Sequence, residues 1–331
     1  MRSRELARVA ALRARFGDAT ASGGGGGAMS VRVGIGDDAA VLEQLGASAG
    51  ALVWTVDAQV EGTHFRTDWA SWEDVGWRSF MAAASDLAAM GAEPVAALSA
   101  LVLANSVDDE ALDALARGQA AVSSAIGAPV VGGNLARGTE TSITTTLLGR
   151  SVSPVLRSGA RAGDGLWLAG PVGLAAAGLA ILEQSLQDAR ILEHVDAAPC
   201  LRAWRRPIAR IEQGRALAGV AHAAIDVSDG LAHDAWQLAT AGDVRLVLDL
   251  AAVIAAGGDA LVAGAKLAGA AAEDLALHGG EDYALVAASA AELPGFVRIG
   301  TVEPWTDGAR VVRRTGSGIE AVDPRGFDHF V

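Results

Sequence analysis

"VGIGDDAAVL", Val33 to Leu42, is the stretch on which the fold turns. It sets Asp37 and Asp38 side by side in a glycine turn with apolar residues on both sides. The spacing Gly34-x-Gly36-x-x-Ala39, with Asp57 about 20 residues further on, also satisfies the dinucleotide-binding fingerprint, a strand–turn–helix that cradles a pyrophosphate. Charge argues against that reading. Two bare carboxylates where the pyrophosphate rests would repel it, and an adjacent acid pair is costly to desolvate without a cation beside it. A divalent cation between carboxylate and phosphate turns the repulsion into a bridge. Taken singly, Asp37 also reads as a turn former and Asp38 as a helix N-cap.

Composition narrows the class of molecule. Of 331 residues, 51% are hydrophobic and 20% charged, enough for a sizeable core in one large or two medium domains. The net charge of -13 argues against nucleic acid or an anionic membrane as partner. Lys266 is the sole lysine, so no Gly-Lys-Ser/Thr step exists and a P-loop is excluded. Phosphates handled by so acidic a chain need divalent cations. The one cysteine, Cys200, excludes internal disulfides and fits a reducing cytosol, so a cytoplasmic location is expected. The charged start reads as an amphipathic helix, not a signal peptide, and no apolar run is read as reaching the roughly 18 residues of a membrane span.

Working outward, residues 22–30 form a glycine-rich loop, and the stretch Ala51 to Val60 reads as a strand ending near Asp57. Ser71 with Asp74 predicts a capping box opening a helix to Gly91. A strand follows Pro94, then a helix capped by Ser106, then strands over "PVVGG" and "TSITTTLLGR". The pattern restarts near residue 157 with a strand, helices around 173–184 and 207–219, a strand into "AIDVSDG", a helix from Leu231, the strand "VRLVLDL", an alanine-rich helical region and the strand "YALVAA". Two halves of mixed strands and helices predict an α/β (α+β) chain of two domains, 1–155 and 156–331.

Acids recur at turns and element ends: Asp37, Asp38, Asp57, Glu61, Asp86, Asp226, Asp229, Glu281 and Asp282. Asp86 has Ala82, Ala83, Ala89 and Met90 three and four positions away, so its helix face is small and apolar and its carboxylate needs a cation or strong donors. Asp226 ends a strand, and Ser228-Asp229-Gly230 opens a helix whose N-terminal N–H groups would welcome phosphate; Ser228 or Asp229 as a plain N-cap is the simpler alternative. Gly279 and Gly280 would allow close approach of a ligand. Oxygen ligands from scattered aspartates suit Mg²⁺ or Mn²⁺, not zinc. His64 sits where the chain leaves the Asp57 strand, placed to meet a phosphate or a ring.

Assembled, these motifs resemble the thiamine-monophosphate kinases, which share a fold with aminoimidazole ribonucleotide synthetase and selenophosphate synthetase. The similarity runs through "GIGDDAAVL", "TVDAQVEGTHF", "SDLAAMGAEP", "VVGGNLARG", "RSGARAGD", "AIDVSDGL", "GGEDY" and "GFDHF", in order. It implies ATP-dependent phosphorylation of thiamine monophosphate to thiamine diphosphate with several Mg²⁺ ions. It also implies a homodimer that pairs the N-terminal sheets. By motif, Asp37, Asp38, Asp57, Asp86, Asp226 and Asp229 would serve the metals, with Thr55, Val56 and Asn134 beside them. Gly133, Arg157 and Ser228 would contact ATP, and His64, Glu281 and Phe327 the thiamine substrate. No general base is implied.

The chain departs from the family pattern in three places. Asn134 stands where aspartate is usual, Val56 where threonine is often found, and Ala83 where asparagine is common. Two alternatives stay open on this footing: another ATP-dependent enzyme of the fold, of cyclo-ligase type, and a nucleotide- or thiamine-phosphate-binding protein weakened at Asn134.

Overall fold

The computed structural model describes residues 7, 29–34, 36–44, 50–315 and 318–328. The expected N-terminal helix and glycine loop lie outside the described residues, except that residue 7 is helical and Met29 and Ser30 begin a strand. The first half runs β1 (Met29–Val33), β2 (Ala40–Gln44), β3 (Ala51–Val60), α1 (Trp72–Ala89), β4 (Glu93–Leu103), α2 (Asp109–Ile126), β5 (Val130–Arg137) and β6 (Ser142–Ser151). Its strands form one sheet in the order β1-β2-β3-β6-β4-β5, antiparallel except for the β4–β5 pair. The Asp37–Asp38 turn therefore joins two antiparallel strands. A strand follows it where a dinucleotide fold needs a helix, so Asp38 is no helix cap either.

The second half runs β7 (Gly165–Ala169), α3 (Leu174–Ser185), α4 (Ala197–Arg205), α5 (Ile211–Leu217), β8 (Ala223–Val227), α6 (Leu231–Gly242) and β9 (Val244–Leu248). It continues with α7 (Leu250–Leu267), α8 (Ala272–His278), β10 (Ala284–Ser289), β11 (Val297–Pro304), β12 (Val311–Thr315) and β13 (Gly318–Ala321). A second sheet results, ordered β13-β12-β9-β11-β7-β10-β8. The architecture is mixed α/β, with two sheets.

Helix α1 organises the molecule. Ser71 and Asp74 form the expected capping box: Ser71 Oγ accepts from the Asp74 N–H at 3.2 Å and Asp74 Oδ2 from the Ser71 N–H at 3.3 Å. Phe80, Ala83, Ala84 and Leu87 are buried in the core shared with Val53 and Leu147 of the first sheet and Leu285 of the second. It meets α2 almost backbone to backbone, because both helices present glycine at the crossing. A Cβ on Gly76 would stand 2.0 Å from the Leu115 carbonyl oxygen, and one on Gly118 2.0 Å from that of Glu73.

Several local expectations need correcting. Helix α2 is capped by Asp108, which accepts from the Ala111 N–H at 2.8 Å, not by Ser106. The single helix expected over 207–219 is the shorter α5, preceded by the unforeseen α4. Helix α7 does reach membrane-spanning length and apolarity, with mean hydropathy 1.6. Gly258 interrupts it at φ 64°, ψ −168°, so neither straight part spans the roughly 18 residues required.

Candidate metal and phosphate site

Strand β3 places alternate side chains on opposite faces. Thr55, Asp57 and Gln59 point toward α1, and Trp54 and Val56 away from it. Asp86 projects from α1 and accepts a hydrogen bond from the Thr55 hydroxyl. Asp38 arrives from the β1–β2 turn and Asp226 from β8 of the other sheet. Oxygens of Asp38, Asp86 and Asp226 all lie within 4.8 Å of one another. Burial, with Asp226 and Asp38 nearby, pushes the Asp86 carboxyl well above the ordinary range. Burial and Asp38 likewise raise Asp226 to about 7, and burial with Asp38 raises Asp37 to about 6. Such shifts mark a cluster short of positive charge. The Ser85 hydroxyl stands beside Asp226, buried and without a hydrogen bond of good geometry among the described residues. Converging carboxylates with two buried hydroxyls, Thr55 and Ser85, beside them fit a hard divalent cation of the Mg²⁺ class.

Arg157 is the one cation at this cluster among the described residues. Its fork meets Asp38 bidentately, Nε to Oδ2 at 3.0 Å and Nη2 to Oδ1 at 2.6 Å, and its backbone N–H donates to Asp37 Oδ2 at 3.3 Å. Burial works against its charge, but Asp38 more than restores it, so the guanidinium is held more firmly protonated than usual. Its Nη1 donates to Gln237 Oε1 at 3.0 Å, and Gln237 Nε2 reaches Asp234 Oδ1 at 3.4 Å. Asp234 was not singled out by the sequence. Its Oδ2 accepts the N–H groups of Ser228, Asp229 and Gly230, each at 3.1 Å. Asp234 thus ties down the turn that leads into α6 from within, and neither Ser228 nor Asp229 caps that helix, whose N-cap is Gly230. Asp229 joins His233 and Asp234 in a second group with ligand atoms within 4.8 Å.

Glu281 lies on the far side of this loop. Its N–H donates to the Ser228 carbonyl at 2.7 Å, and its backbone is left-handed at φ 64°. Gly280 is needed for packing of the chain on itself: a Cβ there would stand 2.4 Å from the Ser228 carbonyl oxygen. The Phe327 N–H donates to the Asp229 carbonyl at 3.0 Å, so the C-terminal segment crosses the same loop with the Phe327 ring half exposed. The His64 ring is fixed by the Val60 N–H, which donates to Nδ1 at 3.1 Å. Tyr283, also unforeseen, is buried, and burial followed by Glu281 and Asp57 pushes its phenol far above its usual range. It therefore keeps its proton between the acidic cluster and Glu281.

Comparison with known proteins fits this geometry. Residues 36–151 match the family described as AIR synthase related protein, N-terminal domain. A thiamine-monophosphate kinase of Mycobacterium tuberculosis (strain CDC 1551 / Oshkosh) is 37% identical over 82% of this chain and 80% of its own. The chain belongs to the thiamine-monophosphate kinase family. The Escherichia coli (strain K12) thiamine-monophosphate kinase is 33% identical, with 91% of this chain and 93% of that one covered. The solved structure of AaThiL complexed with AMPPCP and TMP superposes with a TM-score of 0.84 at 27% identity, covering 100% of this chain and 99% of that one.

Within the thiamine-monophosphate kinase pattern, two residues stand apart from the cluster. Sheet register puts Gly133 in one row with Ser99, Thr145 and Asp57, three strands and so about 14 Å from Asp57. Asn134 follows on β5 and belongs to the row of Ala58, on the face turned away from α1. Val56 shares that face, so only its backbone can serve a site on the α1 side. Ala83 is fully buried in α1, and nothing in the structure explains its replacing asparagine.

Proposed function

We propose that this chain transfers the γ-phosphoryl group of ATP to the terminal phosphate of thiamine monophosphate, giving thiamine diphosphate and ADP. The observation that carries the reading is the Asp38–Asp86–Asp226 cluster, drawn from a turn, a helix and the opposite sheet, in a chain of this family. Asp37, Asp38, Asp57, Asp86, Asp226 and Asp229, with the Thr55 hydroxyl, would hold Mg²⁺. When bound, the metal neutralises the phosphates and orients them for in-line displacement. Arg157 holds the Asp37–Asp38 turn in place and offers its guanidinium to ATP beside Ser228. Glu281, His64 and Phe327 surround the thiamine moiety.

One acceptor phosphate oxygen forms the new bond to the γ-phosphorus as the bond to the β,γ-bridging oxygen breaks, and ADP leaves. The acceptor's second pKa lies near about 6, so the attacking oxygen is already ionised at neutral pH and no side chain has to remove a proton. Alignment is the main task left to the protein.

We assign residues 1–155 to nucleotide, metal and dimer contacts and 156–331 to the remainder of the cleft. A homodimer through the first sheet is supported by its uncovered apolar face and edge: β5 is exposed along its whole length, with Val131 67% and Leu135 62% accessible and Trp54 50%. Gly133 and Asn134 would then lie at that interface. A free thiol at Cys200 accords with a reducing, cytoplasmic compartment. The test is incubation with ATP, Mg²⁺ and thiamine monophosphate, with products separated by chromatography. Thiamine diphosphate in step with ADP supports the reading; ADP release without it contradicts the acceptor.

A further inference from the structure

Arg78 is fully buried, on α1, and belongs to no motif that the function absorbs. Its Nη2 donates to Glu281 Oε1 across 203 positions of sequence, and its Nη1 donates to the Trp204 carbonyl at the end of α4. The guanidinium carbon stands 4.5 Å from the centre of the Trp204 ring. A cation at a helix C-terminus and over an indole face is favourably placed on both counts. Its Nε has no acceptor among the described residues. A guanidinium buried only to knit the core is expected to satisfy its donors. This one is arranged around one carboxylate, Glu281, and the carbonyl and ring of Trp204.

Glu281 is an unusual residue to tie down. Its backbone holds φ 64°, a region that non-glycine residues seldom occupy, and its side chain keeps 25% exposure while its partner has none. One oxygen is committed to Arg78, and the side chain as a whole remains accessible. Along α1, Arg78 precedes Asp86 by eight residues, a rise of about 12 Å. One rigid helix thus holds Asp86 in the acidic cluster and, through Arg78, Glu281 some two turns away. A two-ring cation with a phosphate tail has its charges distributed to match: anionic tail toward the metal cluster, cationic rings toward Glu281.

We propose that Arg78 is a positioning residue for substrate selection: it fixes the orientation of the Glu281 carboxylate that receives the cationic ring system of thiamine monophosphate. The inference rests on the reading of Glu281 as a substrate contact. The experiment is steady-state kinetics of phosphoryl transfer on Arg78→Lys, Arg78→Gln, Glu281→Gln and the Arg78→Gln/Glu281→Gln double variant, with KM measured separately for thiamine monophosphate and ATP. Expected is a rise of at least about tenfold in KM for thiamine monophosphate in each Arg78 variant, with KM for ATP within about twofold, the split that lost ground-state contact to one substrate produces. The double variant should resemble Glu281→Gln alone, since residues acting as a unit are not additive. Trp204→Phe, which keeps the carbonyl acceptor and the packing, gives a milder check if the arginine variants do not fold: about a threefold rise for thiamine monophosphate only. Arg78 variants that move both KM values together, or whose effect adds in full to that of Glu281→Gln, would overturn the proposal. So would an unchanged KM for thiamine monophosphate in Arg78→Lys or Trp204→Phe. If Glu281→Gln itself leaves that KM unchanged, the substrate role of Glu281 fails first, and the role of Arg78 falls with it.

Discussion

Two stretches of one helix, two turns apart, treat buried charge in opposite ways. Around Asp86 the carboxylates outnumber the cations, and their pKa values are pushed upward by burial and by one another. Around Arg78 a single buried cation meets a single carboxylate and a helix-end carbonyl. A charge-matched pair makes no comparable demand for a metal ion, and Arg78 serves to hold the geometry of the carboxylate. An unbalanced cluster is a standing demand for a cation. The difference separates the part of the molecule that handles phosphate from the part that orients what carries it.

Removing charge from the unbalanced cluster should have the largest effect. Asp226→Asn is expected to lower the transfer rate on the order of 10³-fold, by analogy with losing one preorganised electrostatic contact. Without metal it should unfold at a higher temperature than the parent at neutral pH, because a strained charge is gone. A metal-free variant less stable than the parent would break the comparison.

Next comes the pH dependence of metal-free stability. Asp37 at about 6 and Asp226 at about 7 both lie above the ordinary 3.8. The folded state therefore keeps protons that the unfolded chain has already released. Stability from these groups is greatest below the ordinary value and declines from there until the pH has passed through about 6 to 7. The loss is about 1.4 kcal/mol per pH unit for each group before their coupling is counted. Calorimetry in chelator should show a lower Tm at about pH 8 than at about pH 5.5, and Mg²⁺ should raise Tm more at the higher pH. A Tm that is flat, or that rises with pH, would show that the cluster carries no such strain.

Smaller effects sharpen the boundary. Asn134→Asp restores the family charge on the face remote from the cluster. Within one protomer it should change activity less than about threefold, since surface charges some 14 Å off are largely screened. A larger gain, measured by initial rates, would place that residue at the metals of an assembled dimer. Asp108→Ala, which removes the cap of α2 and no member of the acidic cluster, should cost about 1 kcal/mol in chemical denaturation and leave both KM values unchanged.

What the sequence disclosed follows from how local each signal is. The Ser71 capping box and the apolar neighbours of Asp86 are written within a few residues and stand where the sequence placed them; strand β3 starts as read but runs three residues past Asp57, to Val60. The cap of α2 was misplaced by two positions because Ser106 and Asp108 are both good cap residues, and only the fold shows which carboxyl or hydroxyl faces the free N–H groups. Helix α4, which the sequence did not disclose, is short and contains Pro199. That proline lies in the first turn, where its missing N–H has no partner to lose. Asp234 was hidden in plain order, four residues after Gly230, because its partners are backbone groups that a motif does not name. The Arg78–Glu281 pair could not be read at all: nothing in either neighbourhood points to a partner 203 residues away.

The most direct test is a single-turnover experiment with γ-labelled ATP, thiamine monophosphate and Mg²⁺, comparing the parent chain, Asp226→Asn and Glu281→Gln at saturating substrate. Label is expected in thiamine diphosphate from the parent. Near-parent transfer is expected from Glu281→Gln once thiamine monophosphate is raised enough to saturate it, and almost none from Asp226→Asn at any concentration. Transfer by Asp226→Asn at the parent rate would contradict the central claim that the acidic cluster is where the phosphoryl group is handled.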